Sequence, residues 1–539
     1  MKKRLLSALL CVAMVASLVV GCGAKEETAA EDPAATEEVA EEATEEEGTL
    51  YPVVEEPITV RGLIQSGRDF SNNRIVWEKV AEITGVNFEW VVLDEEAFAT
   101  YLAGGDWDFD FIHWKGLDAT LVNDYGVEGG MFANYYDYLE YMPNLQQLFE
   151  DYPEAEKAVR EINGEMYRLP SVEISATATQ VRPYFRTDIL EEAGIAVPTT
   201  TEEFYEALKT LKEKTGKAAW CPANLKESEY WGPMLFGAFG TAVTADFDDD
   251  GNGNVIYNRI SDQYKYYLEF MNKLYEEGLI NQEYLTVDGQ YTLALAQSGE
   301  TAFLGGEAHS LTEADFADGE IHLDVMAPLT SEYDDTQIVL AQLPVAVNGF
   351  FLNAESENLV PLVKALDIMF AVDEVAEGSG LNGMSFTYGM EGEHYILNDD
   401  NTYELVTPEG YDGSFTDFQY NELITSNCGR ATALEGYVTS TPGNGQARQL
   451  GFKNNVFPYA CDNSEVFPSS FLKFTAEEQS VLTNKFTDIQ AYVDEMKSKF
   501  ITGVEDIDTM CDTYVKGLED RGLQEVIDVY QVAYDRWNQ

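Results

Sequence analysis

The chain has 539 residues, a formal net charge of −63, 45% hydrophobic residues and 12% aromatics. That length supports two or three bodies with real cores, and the composition excludes disorder for most of them. Such a field repels nucleic acid and anionic lipid surfaces, so neutral or cationic ligands fit better. The three N-terminal cations, with the eleven acids and one lysine of residues 22–49, leave −56 to residues 50–539, so the acidity belongs to the folding part.

The first stretch has the layout of a secretory signal peptide over residues 1–21. Lys2, Lys3 and Arg4 form a basic start, residues 5–20 an apolar run, and Val19-Val20-Gly21-Cys22 the end. That end looks like a bacterial lipobox, in which the cysteine is lipidated and becomes the mature N-terminus. Cys22 is therefore the expected lipidation site. Ordinary secretory cleavage or an uncleaved anchor is the alternative. Residues 22–56 are expected to be an acidic disordered tether, because the Ala, Glu and Thr of 23–49 cannot build a core.

Folding material starts near Ile58. A strand over 58–64 is followed by a polar loop, 65–69, and by a helix over 74–84 with Ile75, Val76, Val80 and Ile83 on one face. Gly85 ends it. A strand at 86–92, a helix at 95–102 closed by Gly104 and Gly105, and a strand at 108–113 complete a mostly parallel α/β unit. Ligands of such sheets sit beyond the carboxyl ends of the strands. That points to Gln65, Ser66, Arg68 and Asp69, and to His113 and Trp114, whose ring suits the apolar face of a pyranose. The first loop is equally readable as a helix-capping loop.

Further on, residues 142–162 predict one or two helices, and 165–170 a short strand closed by Pro170. Residues 182–188 are extended, and a helix capped by Thr runs from about 201 to 214. Residues 246–254, DFDDDGNGN, resemble the start of a calcium loop, but the twelfth position is Tyr257 where a bidentate Glu is required. A hairpin turn is the better reading. The C-terminal segments 475–500 and 505–537 predict amphipathic helices on the outside.

The run GEMYRLPS, followed by FRTDILEEAGIAVPTTTEEFYEALKTLK, resembles the extracellular solute-binding lipoproteins of ABC transporters, most closely the sugar-binding, maltose-binding-like family 1. YKYYLEFMNKLYEEGLINQEYL, SGETAFLGG and MSFTYGMEGEHYILND match in the same order, as does the C-terminus. The resemblance implies an α/β, periplasmic-binding-protein-like fold of two lobes joined by a crossing-strand hinge. Residues 57–180 and 343–430 would form one lobe, and 181–342 and 431–539 the other. It also implies ligand contacts from Tyr230 and Trp231, with core packing as the alternative, and brings in Tyr388, Glu391 and His394, which either touch ligand or shape a loop. Arg168 and Arg186 flank the expected hinge, with a salt bridge as their other reading.

No catalytic set is present: Gly-x-Ser-x-Gly, His-Glu-x-x-His and the P-loop are absent, and the histidines are scattered. No cofactor and no metal site are expected. Cys221, Cys428, Cys461 and Cys511 lack Cys-x-x-Cys spacing. The function implied is capture of a carbohydrate by a monomer tethered at the outer membrane face beside an ABC permease. A surface glycoside hydrolase, a peptide binder and a sensory lipoprotein are the alternatives.

Overall fold

The computed structural model describes residues 50–65, 74–105, 107–114, 122–172, 183–222, 232–305, 311, 316, 319, 322–339, 343–399, 402–413, 415–423, 438–439, 446–461, 465–509 and 513–539. Cys22, Ser66, Arg68, Asp69, Tyr230, Trp231, Cys428 and Cys511 lie outside them. The chain divides into residues 1–49 and 50–539, and the second unit is described below.

The first sheet has the order β11 (Phe350–Leu352), β3 (Phe111–His113), β1 (Ile58–Gln65), β2 (Val86–Leu93). Strand β1 runs parallel to β2 and to β3. Helices α1 (Ile75–Thr84) and α2 (Glu95–Gly104) make the crossovers, each ended by a left-handed glycine, Gly85 and Gly105. At Gly62 a Cβ would lie 2.3 Å from the Phe111 ring, so a side chain there would displace the neighbouring strand's aromatic.

Two sequence expectations shift here. Helix α1 buries Val76, Trp77, Val80 and Thr84, while Ile75 and Ile83 are only half-buried. Trp77 sets this rotation, its ring lying among Phe88, Trp90, Phe350 and Phe386. A buried indole removes more apolar area from water than an isoleucine. The third strand begins at Phe111, not at 108. Asp108 engages the Arg61 guanidinium, and Asp110 accepts the Arg61 N–H at 2.7 Å, which ties these residues to β1 by side chain.

Helices α3 (Pro143–Asp151) and α4 (Pro153–Val159) each start on a proline, where the missing N–H costs nothing. A strand then follows, but as β4 (Leu169–Val172), later than expected. Residues 161–165 close a turn instead, with the Glu161 N–H donated to the Glu165 carbonyl at 2.8 Å. Strand β4 pairs antiparallel with β10 (Val345–Asn348), Ser171 opposite Ala346. Directly after β10, strand β11 (Phe350–Leu352) returns to the first sheet antiparallel to β3, and α7 (Leu359–Leu366) follows.

Between β4 and β10 the chain builds a second core. Strand β5 (Tyr184–Arg186) is flanked antiparallel by β8 (Phe303–Leu304) and β9 (Leu323–Val325). Helix α5 (Thr201–Thr215) is capped by Thr200, whose hydroxyl accepts the Glu203 N–H at 3.1 Å. Helix α6 (Asp262–Glu276) buries Tyr264, Tyr267, Leu268, Met271 and Leu274. Strands β6 (Phe247–Asp249) and β7 (Val255–Tyr257) form the hairpin expected at the acidic loop.

The C-terminal helices are more than an outer layer. Helix α8 (Thr487–Ile501) contributes Ile489, Val493, Met496 and Phe500, and α9 (Leu523–Trp537) contributes Leu523 and Val526, to the same core as α5 and α6. Their apolar stripes face inward, α8 against α6 and α9 against β7, so each buries its dry face on an element of the second core. That core draws on residues 185–329 and 482–526, whereas the core beneath the first sheet draws on 60–172 and 345–423.

Candidate functional site

The carboxyl ends of β1 and β3 lie side by side, Ile64 opposite His113. Gln65 closes β1, and Trp114 follows β3, its N–H donated to the Gly349 carbonyl at 2.8 Å. Strand periodicity then separates the two candidates that the sequence puts together. His113 faces the same side as Phe111, 3% exposed, with its imidazole stacked on Phe350. Trp114 faces the other side, half-buried, and its ring packs on Phe98 of α2 at 4.6 Å between centroids. A cluster of Phe98, Leu102, Phe109, Ile112, Val122, Phe132 and Phe351 lies on that side.

Phe98 is the residue that sequence reading passes over. It is fully buried on α2, four residues from the N-cap Asp94, whose carboxylate accepts the Ala97 N–H at 2.8 Å. It fixes one edge of the Trp114 ring while leaving part of that ring open to solvent. The helical spacing of Phe98 and Leu102 in EEAFATYL is the signal that carried this information.

Tyr388 and Glu391 lie in the segment after α7. Tyr388 is half-buried, its hydroxyl accepting from Tyr403 at 2.9 Å, and its ring is 4.9 Å from that of Tyr403. Glu391 is exposed; its N–H is donated to the Gly380 carbonyl, and its carboxylate accepts weakly from Asn382 at 3.4 Å. His394 is buried, its Nδ1 accepting the Met390 N–H at 3.2 Å, and burial pushes its imidazole below the ordinary histidine range. These contacts shape the 380–395 loop from within.

Arg168 and Arg186 both make salt bridges. Arg168 reaches Glu161 at 2.6 Å, and Arg186 reaches Asp188 at 2.5 Å while donating to the Ala296 carbonyl at 2.6 Å. In the acidic loop, Asp246 pairs with Arg259 at 2.7 Å. Asp250 accepts the Asn252 and Asn254 N–H groups at 2.8 and 3.1 Å, and these bonds, with that from the Asn254 side chain first, hold its carboxyl below the usual range. Among the described residues no cluster of three or more His, Cys, Asp or Glu could hold a metal ion.

The geometry, then, is a parallel sheet with two strand ends together, an aromatic platform beside them, and a two-stranded connection, β4 with β10, between two cores. The profile of the bacterial extracellular solute-binding proteins matches residues 71–373. The chain is 23% identical over 98% of its length, and 97% of the relative's, to the fructooligosaccharide ABC transporter substrate-binding protein FusA of Streptococcus pneumoniae. It is 29% identical over 30% of its length, and 32% of the relative's, to lipoprotein LipO of Bacillus subtilis. Among solved structures, an HMO-binding, ABC-transporter-associated solute-binding protein from Bifidobacterium longum infantis superposes with a TM-score of 0.67 at 20% identity, covering 89% of this chain and 99% of that one. FusA in complex with kestose does so with 0.63 at 20% identity, with the same coverage. The fold is thus the periplasmic-binding-protein-like α/β fold, and the chain belongs to the family of bacterial extracellular solute-binding proteins.

Proposed function

We propose that this protein is the substrate-binding lipoprotein of an ABC importer, and that it captures an oligosaccharide or a derivative of one without chemical change. The observation that carries the reading is end-to-end likeness to FusA, a fructooligosaccharide-binding protein, over 98% of the chain. The half-exposed Trp114 ring beside two strand ends supports it, because stacking on a sugar face needs such a platform. Gln65, Ser66, Arg68, Asp69, Tyr230 and Trp231 are the proposed hydroxyl and ring partners, with Tyr388 and Glu391 at the rim. His113 acts beneath the site, holding the end of β3 against Phe350.

The two lobes are residues 57–180 with 343–430, and 181–342 with 431–539. The ribbon of β4 and β10 is their hinge. Ligand contacts both lobes and so favours the closed form over the open one. The closed shape is what a permease recognises. Cys22 carries the lipid that holds the protein at the outer membrane face, a reading supported by partial likeness to a lipoprotein. The acidic tether keeps the lobes near the permease, raising their effective concentration there.

A thermal-shift screen of the mature chain against oligosaccharides, monosaccharides and peptides tests this. A saturable shift with an oligosaccharide, the sugar recovered intact, is expected. A shift with peptides alone, or release of a shortened sugar, would overturn it in favour of a peptide carrier or a glycoside hydrolase.

A further inference from the structure

Five of the chain's 33 cationic side chains converge at one place that the proposed sugar site does not use. A cavity of about 50 Å³ is lined by Lys157, Arg160, Glu161, Lys473 and Arg536, with Phe471 and Trp537 as its apolar wall. Arg168 reaches the same spot from behind. It shares the Glu161 carboxylate with Lys473, at 2.6 and 3.3 Å. That carboxylate is nearly buried, and both its partners are mostly buried.

The charge balance is the central observation. Arg160 is paired with Glu156 at 2.9 Å, and Arg536 with Glu478 at 2.8 Å. Glu161 serves two cations at once. Lys157 makes no ion pair among the described residues; its ammonium stands 5.7 Å from the Trp537 ring. The four lining cations, with Arg168 behind them, thus share three carboxylates, Glu156, Glu161 and Glu478, an excess of two positive charges. This occurs in a chain of net charge −63, where a random surface patch is acidic. At physiological salt the distant acids are screened beyond about 8 Å, so the local excess decides what enters. Burial, with Arg168 adding repulsion and Glu161 opposing both, pushes the Lys473 ammonium down to about 8.

The cavity's size bounds the occupant. A single water needs about 10–15 Å³, so this space holds a few waters or one small oxyanion, and no sugar ring. We propose that it is a binding site for a small oxyanion of the phosphate or sulfate class, ligated by Lys157, Arg160, Lys473 and Arg536. Charge-assisted hydrogen bonds from guanidinium and ammonium groups suit that geometry.

Position gives the site a consequence. Arg160, Glu161 and Arg168 belong to the turn that leads into β4, whereas Lys473, Arg536 and Trp537 belong to the C-terminal segment and α9. Arg536 also donates to the Lys473 carbonyl. A bound anion would brace the root of the β4/β10 ribbon against the C-terminal helix.

The test is a phosphorus-31 NMR titration of inorganic phosphate with the mature protein, at ionic strength held constant with sodium chloride. Line broadening that saturates and is reversed by sulfate is expected. Lys157→Glu should weaken binding by about tenfold or more, by placing a negative charge beside the anion. This side chain is half-buried and carries no ion pair among the described residues, so folding, checked by circular dichroism, should be retained. Phosphate and sulfate also stabilise proteins by exclusion from their surfaces, which is why a thermal shift alone is not the readout. Absence of broadening in the native protein, or broadening unchanged in Lys157→Glu, overturns the proposal. Sugar binding is measured on the same samples and stands or falls separately.

Discussion

The His113 imidazole lies nearly flat on the Phe350 ring, centroids 4.0 Å apart and planes 16° from parallel. The two residues are directly opposite in the antiparallel pairing of β3 and β11. The contact therefore welds the end of the parallel sheet to the strand that returns from the β4/β10 ribbon. His113→Ala should destabilise the protein by about 2–4 kcal/mol, somewhat less than truncation of a larger buried phenyl or indole ring. Urea unfolding measures it. A loss below about 0.5 kcal/mol, as at ordinary surface positions, would mean that the stack is not structural.

Trp114, one residue on, should behave in the opposite way. Its ring is half-buried and packs tilted, at 60° between planes, against Phe98. Trp114→Ala should cost about 1–3 kcal/mol of sugar affinity, the order found for loss of one aromatic anchor, with a smaller effect on folding. Titration calorimetry with the best oligosaccharide from the screen measures the first, and urea unfolding the second. Unchanged affinity would remove Trp114 from the site.

The contrast shows what a sequence carries and what it does not. The order of β1, α1, β2, α2 and β3 was legible because periodicity, Gly85 and Gly105 mark it without ambiguity. The mostly parallel sheet was legible too, but the adjacency of β1 and β3 comes only from the observed strand order. The opposite facing of His113 and Trp114 also follows from alternation, but only once the strand is known to include 113 and to be covered on both sides. The rotation of α1 toward Trp77 was not legible, since Val76, Trp77 and Val80 are compatible with more than one buried stripe. The cation cluster was the least legible of all. Its members come from residues 157–168 and 473–536, and nothing local links them.

A buried carboxylate supplies a pH signature. Asp367, 2% exposed, accepts the Asn144 and Leu145 N–H groups at 3.1 and 2.9 Å and so caps the start of α3 across more than 200 residues of sequence. Burial nonetheless outweighs these bonds and pushes its carboxyl up to about 6 from 3.8. The folded state thus holds the proton more tightly than the unfolded chain. Its contribution is most favourable below pH 4 and is lost as the pH rises through 6. The shift corresponds to roughly 3 kcal/mol at most. In Asp367→Ala the cap is lost at every pH, but this slope disappears with it. Urea unfolding of both proteins from pH 4 to 8 should show the native protein's advantage shrinking as pH rises. A difference constant with pH would contradict the assignment.

The last prediction concerns calcium and the acidic hairpin of β6 and β7. Here the carboxylates are already engaged. Asp246 is held by Arg259, which also donates to the Ala242 carbonyl at 2.5 Å. Asp249 accepts the Gly251 and Gly253 N–H groups at 2.5 and 3.2 Å, and Asp250 accepts those of Asn252 and Asn254. Asp248 is half-buried and its carboxyl is raised by burial, which disfavours the ionised form that a cation needs. Calcium would have to displace an ion pair and four backbone hydrogen bonds, with Tyr257 and no bidentate Glu at the twelfth loop position to compensate. Thermal unfolding in excess EDTA and in millimolar calcium chloride should therefore give the same midpoint, at matched ionic strength. A calcium-dependent rise that Asp250→Asn abolishes would show instead that the loop rearranges around the ion.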